Sequence, residues 1–195
     1  MTERRARAWG GVIGPAAFVT AWAACGAAKK GYSPIDDAIS RLAAVGTTTR
    51  PFMTAGFVGF GLSVPIYASA LRRHLNGPAW LGAVSTGIAT LAVAAFPLDV
   101  SSTIDTVHGV MATIGYATLA ATPLLAVRPL AAGAHRGAAT ISLAAGVVAG
   151  LSLAATAFGP GHGLFQRLGL TTGDVWLAAS ALAMLRMGKE VVQRQ

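Results

Sequence analysis

The sequence predicts an all-α fold: an integral membrane bundle of six transmembrane helices with short interfacial helices in its outer loops. Of its 195 residues, 54% are hydrophobic and only 11% are charged, less than half of the roughly 25% charged residues usual in soluble domains. Apolar runs of about twenty residues, the length that crosses about 30 Å of hydrocarbon, recur along the chain. The segments between these runs are short, so we expect one membrane domain over residues 1–195.

The six predicted spans share high apolar content and a length near that needed to cross the membrane. Their expected bounds are Trp9 to Ala28, Pro51 to Leu71, Trp80 to Phe96, Gly109 to Val127, Ala138 to Phe158 and Thr172 to Met187. In the fifth span, Gly146 and Gly150 form a small-xxx-small spacing that lets helices approach closely. A chance origin of this spacing in a glycine- and alanine-rich chain is an equal alternative.

The first span has an alternative interpretation as a secretory signal peptide, because three arginines precede it within the first seven residues. The stretch 22–25, Trp-Ala-Ala-Cys, also has features of a lipoprotein cleavage site. However, the apolar run of about twenty residues exceeds the roughly 7–15 residues of a signal core, which favours a retained span. Cys25 is the only cysteine, so neither an internal disulfide framework nor a cysteine-based metal site is expected.

Orientation follows from the distribution of lysine and arginine, which cytoplasmic loops retain. One side of the predicted bundle carries ten cations against two anions: Arg4, Arg5, Arg7, Arg72, Arg73, Arg128, Arg136, Arg186, Lys189 and Arg194 against Glu3 and Glu190. The other side carries five of each: Lys29, Lys30, Arg41, Arg50 and Arg167 with Asp36, Asp37, Asp99, Asp105 and Asp174. We therefore expect a cell-membrane protein with cytoplasmic N- and C-termini. The cations are dispersed, without the stripe that nucleic acid requires, so no nucleic-acid partner is expected.

The first outer loop predicts a short helix on the membrane surface, capped by Ser33 and ended by Gly46. Its apolar face would comprise Ile35, Ile39 and Leu42. Its polar neighbours four residues apart would be Asp36 with Ser40 and Asp37 with Arg41.

The second outer loop leads into the fourth span, with Ser102 and Asp105 in a capping-box spacing. Asp105 and His108 are three residues apart on one helical face, so the carboxylate could orient the imidazole as a base or a metal ligand. The alternative is that Asp105 only caps the helix and His108 is an interfacial histidine.

The third outer loop carries His162, Gln166 and Arg167. Leu164, Phe165 and Leu168 fit an interfacial helical turn, which would direct Gln166 and Arg167 to polar groups or lipid phosphates. Asp174 is either a carboxylate within the last span or, because Thr171-x-x-Asp174 is a capping pattern, a first-turn residue of that helix. We favour the capping role.

Four short motifs occur in order along nearly the whole chain: Ile39-Ser40-Arg41-Leu42, Phe96-Pro97-Leu98-Asp99, His108-Gly109 and Gly163-Leu164-Phe165-Gln166-Arg167. On these motifs the chain resembles the prokaryotic membrane-protein family called domain of unknown function 998. The resemblance implies six helices and no established activity. The layout is also distantly similar to seven-helix ceramidase-like hydrolases, which bind zinc with His and Asp, although this chain lacks their third site histidine and seventh helix.

The chemistry-bearing residues are concentrated at the outer ends of the spans. The first functional hypothesis is a non-enzymatic protein that binds or positions a membrane lipid or another membrane protein through an outer polar cluster of Ser40, Arg41, Asp99, Gln166 and Arg167. The alternative is a metal-assisted hydrolase of lipid head groups, with catalytic candidates Asp105, His108 and His162 and a zinc held by His108, His162 and Asp99. A proton-coupled transporter is disfavoured because no charged residue is predicted near the middle of a span.

Overall fold

The computed structural model describes the backbone of residues 3–193, and the side chains of residue 3 and of residues 5–186. Within this range every regular element is a helix. The seven α-helices are α1 (Glu3–Ala8), α2 (Gly10–Ala28), α3 (Arg50–His74), α4 (Ala79–Ala95), α5 (Ser102–Ala132), α6 (Arg136–Ala155) and α7 (His162–Gln193). The charge asymmetry predicted from sequence also counts side chains outside the described part: Arg4, Lys189, Glu190 and Arg194.

Five helical segments are long and apolar enough to cross a membrane. They are Arg5–Ala28, Arg50–His74, Ser102–Ala132, Arg136–Ala155 and His162–Arg186. The third predicted span corresponds to α4, which has 17 residues and is the one shorter apolar helix in the described range. The all-α prediction is therefore confirmed.

The helices α2 to α7 form an up-and-down bundle in which each packs mainly on its neighbour in sequence, whereas the short α1 packs mainly on α3 and α7. Contacts between α2 and α7 join the first and last long helices. The core is apolar, and its largest fully buried side chains include Tyr67, Met53 and Leu119.

Glycines allow several of these helices to approach closely. At Gly87 in α4, an added Cβ would lie 2.5 Å from Pro65 Cδ and 3.0 Å from the Gly61 carbonyl oxygen, both in α3. At Gly146 in α6, it would lie 2.4 Å from Leu124 Cγ in α5. The small-residue spacing of the fifth span thus includes a specific helix contact at Gly146.

Two local predictions were wrong. In the first loop, the only helix is the single 3₁₀ turn Ile39–Leu42, whose Ile39 and Leu42 side chains are buried in the bundle instead of lying on the membrane surface. In the third loop there is no separate interfacial helix, because α7 begins at His162, ten residues before the predicted start of the last span.

Candidate functional site

Three loops that precede α3, α5 and α7 meet at one end of the bundle, which we call the loop end. The Val45 amide donates to the Leu98 carbonyl over 3.0 Å, which joins the first two loops. The Leu164 amide donates to the Ile35 carbonyl over 2.8 Å, and the Gly161 amide donates to Asp36 Oδ1 over 3.3 Å. The first loop therefore bridges the other two.

Within the predicted outer polar cluster, Arg41 and Asp99 form an ion pair with an Arg41 Nη1 to Asp99 Oδ1 distance of 2.9 Å. Both side chains are about half exposed, so the pair contributes only about 0.2–1 kcal/mol to stability. Asp99 has a left-handed backbone with φ of 67°, which aspartate tolerates better than most residues. Its amide donates to Asp105 Oδ1 over 2.9 Å. Arg41 thus pairs with Asp99 and not with Asp37 as the helical spacing predicted.

Arg167 lies inside the bundle, with only 8% of its surface exposed. Its Nη1 donates to the carbonyls of Pro34, Asp37 and Gly163 over 2.7, 3.1 and 2.8 Å. Its Nη2 donates to the Tyr32 hydroxyl. The guanidinium therefore anchors the first loop to α7. Of the two kinds of contact that the sequence had suggested for it, polar groups or lipid phosphates, the structure shows polar groups of the protein itself.

Aromatic rings complete the environment of this guanidinium. Its carbon atom lies 5.5 Å from the centroid of the Trp22 ring and 5.4 Å from that of Tyr32, within cation–π range. Burial raises the pKa of the Tyr32 phenol, and the charge of Arg167 beside it partly opposes that rise. Tyr32 accordingly stays a neutral phenol that accepts from Arg167 at physiological pH.

Gln166 makes a second link between the first loop and α7. Its Oε1 accepts from the Ile39 amide over 2.7 Å, and its Nε2 donates to the Tyr116 hydroxyl on α5. Gln166 is 6% exposed. Both ends of its amide are therefore used within the protein.

His108 is buried in the first third of α5, with 4% of its surface exposed. Its Nδ1 lies 2.7 Å from the carbonyl oxygen of Phe96, at the end of α4. Because a carbonyl only accepts, Nδ1 carries the hydrogen, and in the neutral ring Nε2 is a free acceptor. Nε2 is buried without a hydrogen-bond partner. The structure thus orients His108 through the Phe96 carbonyl, where the sequence had pointed to Asp105.

The α5 cap also differs from the predicted capping box. Ser101, not Ser102, is the N-cap, and its Oγ accepts from the Ile104 amide over 3.3 Å. Asp105 lies in the first turn and holds the Asp99 amide. It therefore organises the second loop.

Asp174 is at the centre of the candidate span His162–Arg186, so its predicted role as a first-turn cap was wrong. A transporter was disfavoured because no charged residue was predicted near the middle of a span. That argument was wrong as well, because Asp174 lies there. Asp174 is 3% exposed, and neither carboxylate oxygen has a hydrogen-bond partner. An ionisable group at this depth is costly and commonly functional.

His108 and Asp174 line the same cavity, which extends from the loop end into the middle of the bundle. Its volume is about 60 Å³, several times the roughly 10–15 Å³ that one water requires. The other polar residues that line it are Ser40, Thr86, Thr90, Tyr116 and Gln166. Its walls are apolar and largely aromatic or branched: Ile39, Phe18, Phe57, Phe60, Val93, Met111, Leu119 and Leu170. We call this space the inner cavity.

The residues proposed for zinc do not form a metal site here. Among the described residues, no group of three or more His, Cys, Asp or Glu side chains is placed to hold a metal ion. His162 begins α7 and does not line the inner cavity with His108. Asp99 is paired with Arg41 at the surface.

Sequence reasoning missed the inner cavity because its polar lining comes from four separate segments: the Ile39–Leu42 turn, α4, α5 and α7. Tyr116 gave no signal, since a single tyrosine in an apolar span usually serves packing. Asp174 could have been recognised as a mid-span residue if the last helix had been predicted to begin at His162, directly after Gly159-Pro160-Gly161. Gly161 has a φ of 80°, a conformation that suits the turn before a helix.

Comparison with known proteins identifies a family but no activity. No curated protein and no solved structure matches the chain. The model of one family, described as "Protein of unknown function (DUF998)", matches residues 12–183. Since this match covers most of the sequence, the chain belongs to the DUF998 family.

Proposed function

We propose that this protein is a six-span membrane protein that binds the polar head of a membrane lipid or similar amphiphile in its inner cavity. The observation that carries the proposal is the pair of buried, unpartnered groups in one cavity, the Asp174 carboxylate and His108 Nε2. Leaving such groups without a partner costs several kcal/mol at membrane depth. A ligand with matching groups would recover that free energy.

The apolar walls favour an amphiphile over a fully polar solute. Phe18, Phe57 and Phe60 line the cavity beside the two polar groups, and a mostly apolar pocket with few polar groups is typical of small-molecule sites. The outer polar cluster has a supporting role in this proposal, because Gln166 and Arg167 hold the first loop over the cavity. In this proposal, the exposed face of the loop end is the surface available to a second membrane protein.

Six crossings are supported by α4, whose 17 residues extend about 25 Å at 1.5 Å each. That length is at the short end of the roughly 17–25 residues used by spanning helices. With six crossings both termini lie on the side with ten cations, which the positive-inside tendency makes cytoplasmic. The loop end, from which the inner cavity extends, then faces outward.

The orientation can be measured by cysteine labelling of intact cells, in a Cys25→Ala background. A membrane-impermeant maleimide should label Ser101→Cys at the loop end without permeabilisation, and should label His135→Cys at the opposite end only after it. Both positions are exposed. Labelling of both from the same side would overturn the six-span topology.

Ligand binding can be measured by native mass spectrometry of protein released from nanodiscs of phosphatidylethanolamine and phosphatidylglycerol. We expect the wild type to retain about one lipid per chain and Ala112→Phe to lose it, because Ala112 lines the cavity and the larger ring fills it. Ala117→Phe is the matched control, since Ala117 is exposed on the same helix. Equal retention by all three proteins, or retention by none, would contradict the proposal.

A further inference from the structure

The inner cavity presents hydrogen-bond acceptors that no donor of the protein reaches. Asp174 contributes two carboxylate oxygens and His108 contributes Nε2, and none of the three has a protein partner. All three atoms are buried, and both side chains are more than nine-tenths buried. These three atoms therefore lack hydrogen-bond donors.

The other polar side chains of the cavity do not donate to these atoms. Thr86 and Thr90 donate their hydroxyl hydrogens along α4 or to Thr118. Gln166 donates from its amide nitrogen to the Tyr116 hydroxyl. The hydroxyls of Ser40 and Tyr116 also line the cavity, but neither lies within hydrogen-bond distance of the Asp174 carboxylate or of His108 Nε2. Among the lining residues, all within the described range, there is no lysine or arginine.

In the part of the chain whose side chains are described, no cation forms an ion pair with Asp174. Among the described side chains, the ion pairs are Arg7 with Glu3 and Arg41 with Asp99. Arg167 is the arginine nearest to Asp174 in the chain, and its terminal nitrogens are committed to the first loop and to Gly163. The cavity therefore combines one acidic group with acceptors and aromatic faces.

We propose that the inner cavity recognises a protonated primary amine. This inference rests on the proposed ligand-binding function and names the chemical class of the ligand. An ammonium group supplies both a positive charge for Asp174 and up to three N–H donors. One donor satisfies His108 Nε2, and others satisfy the carboxylate. The rings of Phe18, Phe57, Phe60 and Tyr116 supply the electron-rich faces that cations favour.

The test is isothermal titration calorimetry in dodecyl maltoside micelles, with the heat of titration into protein-free micelles subtracted. Dodecylamine should bind at least tenfold more tightly than dodecanol, which lacks the charge. It should also bind more tightly than dodecyltrimethylammonium, which lacks N–H donors. Butylamine and phosphatidylethanolamine, added as further arms, distinguish a soluble amine from a lipid amine as the source of the group.

Variants separate charge recognition from folding. Asp174→Asn, which keeps the size of the side chain, should lower dodecylamine affinity at least tenfold while dodecanol affinity changes less than twofold. Asp174→Glu should restore much of the dodecylamine preference. His108→Gln should reduce the preference for dodecylamine over dodecyltrimethylammonium. Retained dodecanol binding shows that each variant is folded.

Two outcomes would overturn the inference in distinguishable ways. If dodecylamine and dodecanol bind equally to the wild type, the cavity binds amphiphiles but the amine recognition is wrong. If neither these probes nor phosphatidylethanolamine binds, both the inference and the proposed function are wrong, and water occupies the cavity. Equal dodecylamine affinity in wild type and Asp174→Asn would also reject the role of the carboxylate.

Discussion

Replacement of Arg167 by alanine should lower the free energy of unfolding by about 3–5 kcal/mol. The guanidinium donates to three backbone carbonyls and the Tyr32 hydroxyl. Alanine would leave buried acceptors unpaired, at about 1–3 kcal/mol each, although relaxation of the first loop recovers part of the loss. For a chain of this size, the melting temperature should fall by roughly 6–20 °C.

The measurement is thermal unfolding in detergent, followed by circular dichroism. Lys30→Ala is the matched control, because it also removes a cation at the loop end but from an exposed side chain, and we expect it to melt within about 0.5 kcal/mol of the wild type. Arg167→Lys keeps the charge but loses the fork of donors, so it should melt between the wild type and Arg167→Ala. A melting temperature of Arg167→Ala equal to that of Lys30→Ala would show that the guanidinium is not the anchor.

Replacement of Gly87 by alanine should destabilise the protein by about 1–3 kcal/mol, the usual cost of overpacking. The added methyl group would lie 2.5 Å from Pro65 Cδ and 3.0 Å from the Gly61 carbonyl oxygen. Neither the proline ring nor the backbone oxygen can change rotamer to avoid this clash, as a flexible side chain could. The α3–α4 contact must therefore widen.

The control for Gly87→Ala is the same change at Gly109, which is also helical but has no heavy atom within 4 Å of the added methyl group. There the helical preference of alanine should stabilise the protein by roughly 0.5–1 kcal/mol. The two variants should therefore move the melting temperature in opposite directions. If Gly87→Ala melts at or above the wild-type temperature, the close packing of α3 on α4 is wrong.

The all-α class and most helix positions could be predicted because each depends on local composition. The α2 and α6 spans were placed to within about three residues at each end, since apolar runs and their polar boundaries are visible in the sequence. The start of α7 was missed because Gln166, Arg167 and Asp174 make its first half polar. In the fold these side chains face the interior, where protein partners or a cavity replace water.

The polar residues of the loop end could be singled out from the sequence, but their partners and the inner cavity could not. Polar residues at the loop end stand out in the sequence, yet Arg167 and Gln166 bond to backbone groups more than a hundred residues away in sequence. Such partners depend on tertiary packing and leave no periodic signal. The pairing of His108 with the Phe96 carbonyl likewise joins two helix ends through a backbone atom, which no side-chain spacing could reveal.

The polar first half of α7 also has a consequence for biogenesis. On insertion scales, an aspartate at the centre of a helix costs about 2.5–3.5 kcal/mol, so Asp174 lowers the tendency of α7 to enter lipid alone. The helix is translated after α2–α6. The first-loop groups that bond to Arg167 and Gln166 therefore leave the ribosome before α7 does. We therefore expect membrane integration of the last helix to depend on assembly of the earlier ones.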